Sequence, residues 1–246
     1  MQLGLIGYPL THSFSPKYFS EKFLRETLFD HSYKAFPISD ISLFPELLHK
    51  HPELSGLNVT IPYKEQIISF LDDIDETAKV IGAVNTIIIS SNGKTKGFNT
   101  DVIGFLAPIK DLIHDVKSAL VLGSGGASKA VVFALQDCGV KVQVVSRTPG
   151  NRQSISYNQL EHIDTFDLIV NCTPLGMFPN ETSYPQIPYD KLNQKQTLYD
   201  LVYNPSETLF LQNGKEKGCR IINGYVMLKE QAEASWRIWT SENQHM

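Results

Sequence analysis

The sequence predicts an α/β protein of two domains, and three observations carry that expectation. Apolar residues Ala119-Leu120-Val121-Leu122 run straight into Gly123-Ser124-Gly125-Gly126, and an alanine-rich segment follows through Leu135. That pattern is a strand, a tight turn and a helix start. A second apolar run, Lys141 to Val145, comes at the distance a βαβ unit requires. Upstream, short strand patterns beginning with Leu3-Gly4-Leu5-Ile6 alternate with helical ones, and 246 residues suffice for one large or two modest domains.

The glycine turn has a specific physical use. Glycine tolerates positive φ and lets backbone approach a phosphate, while the first free N–H groups of the next helix point at the anion. The spacing Gly123-x-Gly125-Gly126 departs from G-x-G-x-x-G, because the third small position is Ser128. The second strand ends in Ser146-Arg147-Thr148, with no acid to accept hydrogen bonds from a ribose 2′-hydroxyl. An arginine there suits a 2′-phosphate, so the cofactor expected is NADP(H). The open alternative is that Arg147 is only a solvated loop residue.

Composition excludes several classes. A net charge of -4 leaves no basic footprint for nucleic acid, and 42% hydrophobic with 20% charged residues is ordinary for a globular protein. No apolar run spans a bilayer, and Met1 to Gly7 reads as a buried strand rather than a signal peptide. Cys138, Cys172 and Cys219 are odd in number and far apart. They are expected as buried thiols of a cytoplasmic protein. His49 and His51 lack a third ligand nearby, so no metal is expected.

Taken in order, Tyr8 to Pro16 is a polar turn leading into an amphipathic helix, Lys17 to Leu28. Ser15 before Pro16 reads as its N-cap, whereas Ser13 has no such duty. Two hydroxyls at a strand–helix junction can hold a polyol or a carboxylate. Strands at 32–38 and 54–60 flank a short helix at 42–50, and a further helix is expected from Lys64 to Leu71. A cation at that helix start opposes the macrodipole, so function explains Lys64 better than stability does. Asp72 to Glu76 are acids at another helix start, where charge and dipole agree.

Asn85 and Thr86 interrupt an apolar strand at 82–89, and a buried asparagine needs partners, supplied by substrate or by backbone. Thr100 or Asp101 can cap a helix from Val102 to about Ile113. Beyond Arg147 come a short helix at 157–163 and a strand at 167–173 that Pro174-Leu175-Gly176-Met177 ends at the cofactor side. A loop at 178–189, a strand at 197–203, a helix from Pro205 to Lys217 and a strand at 220–222 follow. Gly224 opens a closing helix whose stripe includes Met227, Gln231, Ala234 and Ile238. Gln231 on that stripe is either a satisfied core amide or a ligand contact.

Eight motifs occur in an order that resembles the shikimate dehydrogenase family along nearly the whole chain. They are His12 to Pro16, Asn58 to Lys64, Gly82 to Thr86, Asn99-Thr100-Asp101, the Gly123 turn, Ser146-Arg147-Thr148, Asn171 to Met177, and Asp200 to Pro205. The resemblance implies reversible reduction of 3-dehydroshikimate by NADPH, on the route to chorismate and aromatic amino acids. It implies an N-terminal α/β substrate domain, 1–100 with 224–246, and an NADP-binding Rossmann-type domain with a parallel sheet, 101–223. Ser13 and Ser15 would bind the carboxylate. Thr60, Asn85, Asp101 and Gln231 would surround the ring hydroxyls, with Tyr203 also at the substrate. Lys64 and Asp101 would be the catalytic pair.

The cofactor would meet Gly123, Ser124, Gly125, Gly126 and Ala127, then Ser146, Arg147 and Thr148. It would also meet Thr173, Leu175, Gly176, Met177, Leu201, Gly224 and Met227. Two features depart from the family pattern. Tyr225-Val226 stand where Leu-Gly is more usual, at the nicotinamide end, and a second arginine is offered by Arg152. The alternatives are a quinate/shikimate paralogue using NAD(H), against which Ser146-Arg147-Thr148 argues, and a non-catalytic dinucleotide-binding regulator, against which the Lys64 and Asp101 pair argues. A monomer or a homodimer is expected.

Overall fold

The computed structural model describes residues 1–10, 13–148 and 154–242. The chain forms two compact units, Met1–Thr100 with Ala232–Met246, and Asp101–Gln231.

In chain order the first unit contains β1 (Gln2–Gly7), α1 (Phe14–Arg25), β2 (Ser32–Pro37), α2 (Phe44–Lys50), β3 (Leu54–Val59), β4 (Asp73–Ile74), α3 (Glu76–Ile81), β5 (Thr86–Ile89) and β6 (Thr95–Phe98). They form a mixed sheet in the order β2-β1-β3-β5-β6-β4. Strand β1 runs parallel to β2 and β3, and β5 runs antiparallel to β3 and β6. Burial of Ile6, Leu57, Ile67 and Ile87 gives this sheet its core, and Phe19 stacks on Tyr33 with ring centroids 4.5 Å apart.

Two expectations about this unit are corrected. Helix α1 begins at Phe14, so its N-cap is Ser13 and Ser15 lies in the first turn. A proline costs nothing in that turn, where its missing N–H has no helical partner, and Pro16 therefore does not mark the start. The helix expected from Lys64 is only a 3-10 segment, Gln66–Phe70, and Lys64 sits in a turn before it. The dipole argument for Lys64 therefore does not apply. Asp75 is a true N-cap of α3, accepting from the N–H groups of Thr77 (3.0 Å) and Ala78 (3.4 Å).

The second unit contains α4 (Asp101–Leu106), β7 (Ser118–Leu122), α5 (Gly126–Asp137), β8 (Lys141–Val145), β9 (Ser154–Ile155), β10 (Leu168–Asn171), β11 (Thr197–Asp200), α6 (Leu209–Glu216), β12 (Arg220–Ile222) and most of the first half of α7 (Tyr225–Glu242). Its sheet is wholly parallel, in the order β12-β11-β10-β7-β8-β9. The order reverses between β7 and β10, the switch point of a doubly wound sheet, beyond which ligands bind at the carboxyl ends of strands. Residues Ala119 to Leu122 are wholly buried, as strands covered on both faces must be.

Several boundaries differ from expectation for physical reasons. The helix expected to Ile113 stops at Leu106, and Pro108 lies in the 3-10 turn that follows, where it removes an N–H the helix would need. Helix α6 starts at Leu209 rather than Pro205, because Thr208 caps it by accepting from the Leu211 N–H at 3.4 Å. The helix expected at 157–163 is two 3-10 turns. Cys219 is buried, Cys172 half-buried and Cys138 exposed, all free, so the expectation of buried thiols fails at Cys138. Among the described residues no helix is long and apolar enough to cross a membrane.

The unit boundary on α7 falls at Ala232, where the family resemblance implied Gly224. A Cβ on Gly104 would lie 2.6 Å from the Met227 carbonyl oxygen and 2.9 Å from Gln231 Cβ, and one on Gly224 would lie 2.0 Å from the Leu201 oxygen. Close backbone approach at those two glycines fixes the start of α7 to the second unit. From Ala232 on, α7 closes the first unit. Trp239 Nε1 donates to the Ile87 oxygen at 2.9 Å, and Glu233 pairs with buried Lys22 at 2.9 Å and hydrogen-bonds Tyr18. Gly224→Ala must push α7 off Leu201. Urea unfolding is expected to show a loss at or above the roughly 1–3 kcal/mol typical of overpacking, and an unchanged midpoint would contradict the close approach.

Candidate active site

In the first unit Thr60, Lys64 and Asn85 gather at the ends of β1 and β3 and just before β5. The Thr60 N–H donates to the Ile6 oxygen at 2.9 Å, and the Val59 N–H to the Asn85 oxygen at 2.8 Å. Lys64 is half-buried. Its carbonyl accepts from the Val84 N–H at 2.7 Å, and the preceding Tyr63 is anchored through its hydroxyl to the Ile38 oxygen at 2.7 Å. Thr60, Lys64 and Asn85 are thus stitched together through backbone.

Ser13 has extended backbone (φ -71°, ψ 134°), and its hydroxyl makes no capping bond. The hydroxyl is therefore not consumed by the helix. Ser15 is buried. Asn85 finds partners in the protein. Its Oδ1 accepts from the Thr100 N–H (2.8 Å) and the Thr86 hydroxyl (3.0 Å), and its Nδ2 donates to Thr100 Oγ1 at 2.9 Å.

Of the remaining substrate candidates, Asp101 is the first residue of α4 and buried. Gln231 is half-buried, with Nε2 donating to the Leu228 oxygen at 2.8 Å. Tyr203 is half-buried, and burial raises its phenol above the ordinary value. Lys64 belongs to the first unit, and Asp101, Tyr203 and Gln231 to the second.

The nucleotide candidates build a cradle at the carboxyl ends of β7 and β8. Gly123 has φ +115°, a conformation other residues rarely adopt. Its N–H donates to the Val145 oxygen at 2.8 Å, and the buried Ser128 hydroxyl donates to its carbonyl at 2.7 Å. The serine in the third small position therefore staples the loop. A Cβ on Gly125 would meet nothing within 4 Å, and Gly125 leads α5 without a side-chain cap. Ser124 is exposed, and Gly126 and Ala127 open the helix half-buried. Ser146 Oγ is buried with no partner among the described residues, while Arg147 and Thr148 beside it are exposed. An open anion-facing helix start, an unpartnered hydroxyl and an exposed guanidinium fit a dinucleotide phosphate group. His12 and Arg152 lie outside the described residues.

The turn at 173–177 is held by a buried polar cluster. Thr173 donates its N–H (3.0 Å) and hydroxyl (2.6 Å) to Asn171 Oδ1, and the Leu175 N–H donates to Thr173 Oγ1 at 3.3 Å. Gly176 has φ +89°, and its N–H donates to Ser183 Oγ at 3.0 Å; Met177 is exposed. Asn171 Nδ2 in turn donates to Asp200 Oδ1 at 2.9 Å. Leu201 and Gly224 meet through backbone as described above, and Met227 lies in the core with Phe105.

Sequence reading assigned no role to Tyr33, Asn58, Ser235, Asp200 or Thr208. The available signal was polar residues within or at the ends of apolar strands, as in Leu57-Asn58-Val59 and Tyr199-Asp200. Asp200 is wholly buried. Burial outweighs hydrogen bonds from Thr208, the Val202 N–H and Asn171, and pushes its carboxyl up to about 6. A carboxyl that binds its proton more tightly when folded favours folding below its unfolded pKa, and that contribution is lost as pH rises through about 6. Asp200→Asn removes this dependence. The unfolding free energy of the wild type minus that of Asp200→Asn is expected to fall by on the order of 3 kcal/mol between about pH 4 and pH 7; a pH-independent difference would contradict the assignment.

Residues 5–87 match the family model described as the shikimate dehydrogenase substrate binding domain. The chain is 38% identical to shikimate dehydrogenase (NADP(+)) of Methanococcus aeolicus, over 97% of this chain and 91% of that protein. It is similar in structure to the shikimate 5-dehydrogenase of Thermus thermophilus solved with NADP(H) and shikimate, at TM-score 0.87 and 33% identity, covering 98% and 93% of the two chains. The quinate dehydrogenase of Corynebacterium glutamicum, solved with NAD, gives TM-score 0.84 and 29% identity over 98% and 93%. With the substrate-domain match, the parallel doubly wound sheet and this likeness along the full length, the chain belongs to the shikimate dehydrogenase family.

Proposed function

We propose that this protein is an NADP-dependent shikimate dehydrogenase that reversibly reduces 3-dehydroshikimate to shikimate. The observation that carries this reading is the similarity along 97% of the chain to an enzyme of that name. The open glycine turn and the arginine that closes the second strand agree with it.

NADPH, when bound, supplies a hydride to the ketone carbon. The glycine turn from Gly123 to Ala127 would hold its pyrophosphate on the start of α5, and Ser146, Arg147 and Thr148 the 2′-phosphate. Thr173, Leu175, Gly176, Met177 and Leu201, with Gly224 and Met227, would line the nicotinamide end. Reduction leaves negative charge on the substrate oxygen, which needs a proton donor at hydrogen-bond distance. Lys64 serves as that donor, and Asp101 orients it and balances its charge. Ser13 and Ser15 hold the carboxylate, and Thr60, Asn85, Tyr203 and Gln231 orient the ring. Free thiols at Cys138, Cys172 and Cys219 suit a reducing cytoplasm, where the enzyme works as a monomer or a homodimer.

Initial rates with shikimate or quinate, each with NADP+ or NAD+, test the assignment. Fast turnover is expected only with shikimate and NADP+. Preference for quinate with NAD+ would move the protein to the paralogue, and silence in all four mixtures would favour a non-catalytic regulator. Lys64→Ala is expected to lower kcat by about 10²–10⁴-fold with little change in the shikimate KM, and unchanged turnover would remove Lys64 from the chemistry. Arg147→Ala should raise the NADP+ KM roughly tenfold, the cost of about one charge-assisted hydrogen bond, and leave the NAD+ KM unchanged. Equal effects on both cofactors would contradict the phosphate role.

A further inference from the structure

One buried carboxylate of the second unit is bonded toward both segments that would line the nicotinamide end. Asn171 and Asp200 stand opposite each other at the ends of β10 and β11, and both are wholly buried. Asp200 Oδ1 accepts from Asn171 Nδ2 at 2.9 Å and from the Val202 N–H at 3.0 Å, while Oδ2 accepts from the Thr208 hydroxyl. The first bond leads to the 173–177 turn. The second holds the bend at Leu201, whose own N–H donates to the Asn171 carbonyl at 3.0 Å.

Asn171 uses its whole amide at this junction. Its Nδ2 donates to Asp200 and, at 3.4 Å, to the Leu175 carbonyl, and its Oδ1 accepts from the Thr173 N–H and hydroxyl. The Thr173 oxygen in turn accepts from the Leu175 N–H. The terminal torsion of an asparagine is broad, so its partners fix the plane of the amide. Three of these four bonds go to the turn and would move with it. Asp200 belongs to the sheet, so the carboxylate sets the plane of the amide, and the amide sets where the turn lies.

We propose that Asp200 is a positioning residue for the cofactor, holding the 173–177 turn through Asn171 in the place that receives the nicotinamide end. The proposal rests on the reading that this turn meets the cofactor.

Asp200→Ala is expected to raise the NADP+ KM roughly tenfold, the cost of about one hydrogen bond, with the shikimate KM within about twofold. Inhibition by 2′-phospho-ADP-ribose, which lacks the nicotinamide, should not change. Asp200→Asn keeps an oxygen toward Asn171, because the Val202 N–H needs an acceptor at the same place, and should restore the NADP+ KM. Equal losses in the two variants, or a fragment weakened as much as NADP+, overturn the proposal. Asn171→Ala breaks the same link with the Thr208 and Val202 bonds of Asp200 in place, so it carries the test if Asp200→Ala does not fold. Where both fold, a double variant whose KM rises by the full product of the two overturns the shared route. Met177→Asp puts a charge on the exposed tip of the turn and tests the cofactor reading by itself. A raised NADP+ KM there, with none in Asp200→Ala and Asn171→Ala, overturns the proposal alone. An unmoved KM in Met177→Asp overturns the reading of the turn and the proposal with it.

Discussion

The rest of the structure depends on one constraint: polar groups withdrawn from water must find partners inside the protein. Each unit places asparagines and threonines at or near strand ends, and each joins them in a buried cluster, around Ser235 of α7 in the first unit and with Asp200 in the second. In the first unit Tyr33, Asn58, Thr86, Asn85 and Thr100 bond one another around Ser235 Oγ, which lies 2.7 Å from Thr86 Oγ1 and 3.3 Å from Thr100 Oγ1. In the second, Asn171, Thr173, Asp200 and Thr208 do so, with Thr208 Oγ1 donating to Asp200 Oδ2 at 2.5 Å. Such clusters tolerate few arrangements, because a half-satisfied one is costly. They therefore convert packing into fixed side-chain directions at the places where chemistry is expected.

Close backbone approach is the second device. Gly224 against Leu201, and Gly104 against Met227 and Gln231, leave no room for a Cβ. Gly123 is different in kind, since it is required by its positive φ as well as by contact with Thr173 and Cys172. These glycines set where α7 begins and where the Gly123 turn lies beside the 173–177 turn. The polar clusters then determine how the side chains around them point.

Much of this was legible in the sequence. The βαβ unit around Gly123 and the strands at 119–122 and 141–145 follow from apolar runs punctuated by glycine and appear as expected, and the strand expected at 167–173 is present as the shorter Leu168–Asn171. What the sequence hid was set by tertiary partners. The N-terminus of α1 moved to Phe14 because a proline in a first turn is neutral. Lys64 lost its helix because the chain there tightens into a 3-10 segment whose Ile67 joins Tyr63 in the core. Asp200 reads as a strand-end acid like any other, and only its burial against Asn171 and Thr208 gives it a raised pKa. Tyr33 reads as one aromatic in an alternating strand, and only the fold brings its hydroxyl to Asn58, 25 residues away.

The measurement that tests the central claim most directly is deuterium transfer from shikimate labelled at the carbinol carbon that becomes the ketone of 3-dehydroshikimate. The account predicts that the NADPH formed carries the label and that the labelled substrate turns over more slowly at low concentration. Reduced cofactor without deuterium, or label carried as readily by NAD+ as by NADP+, would contradict it.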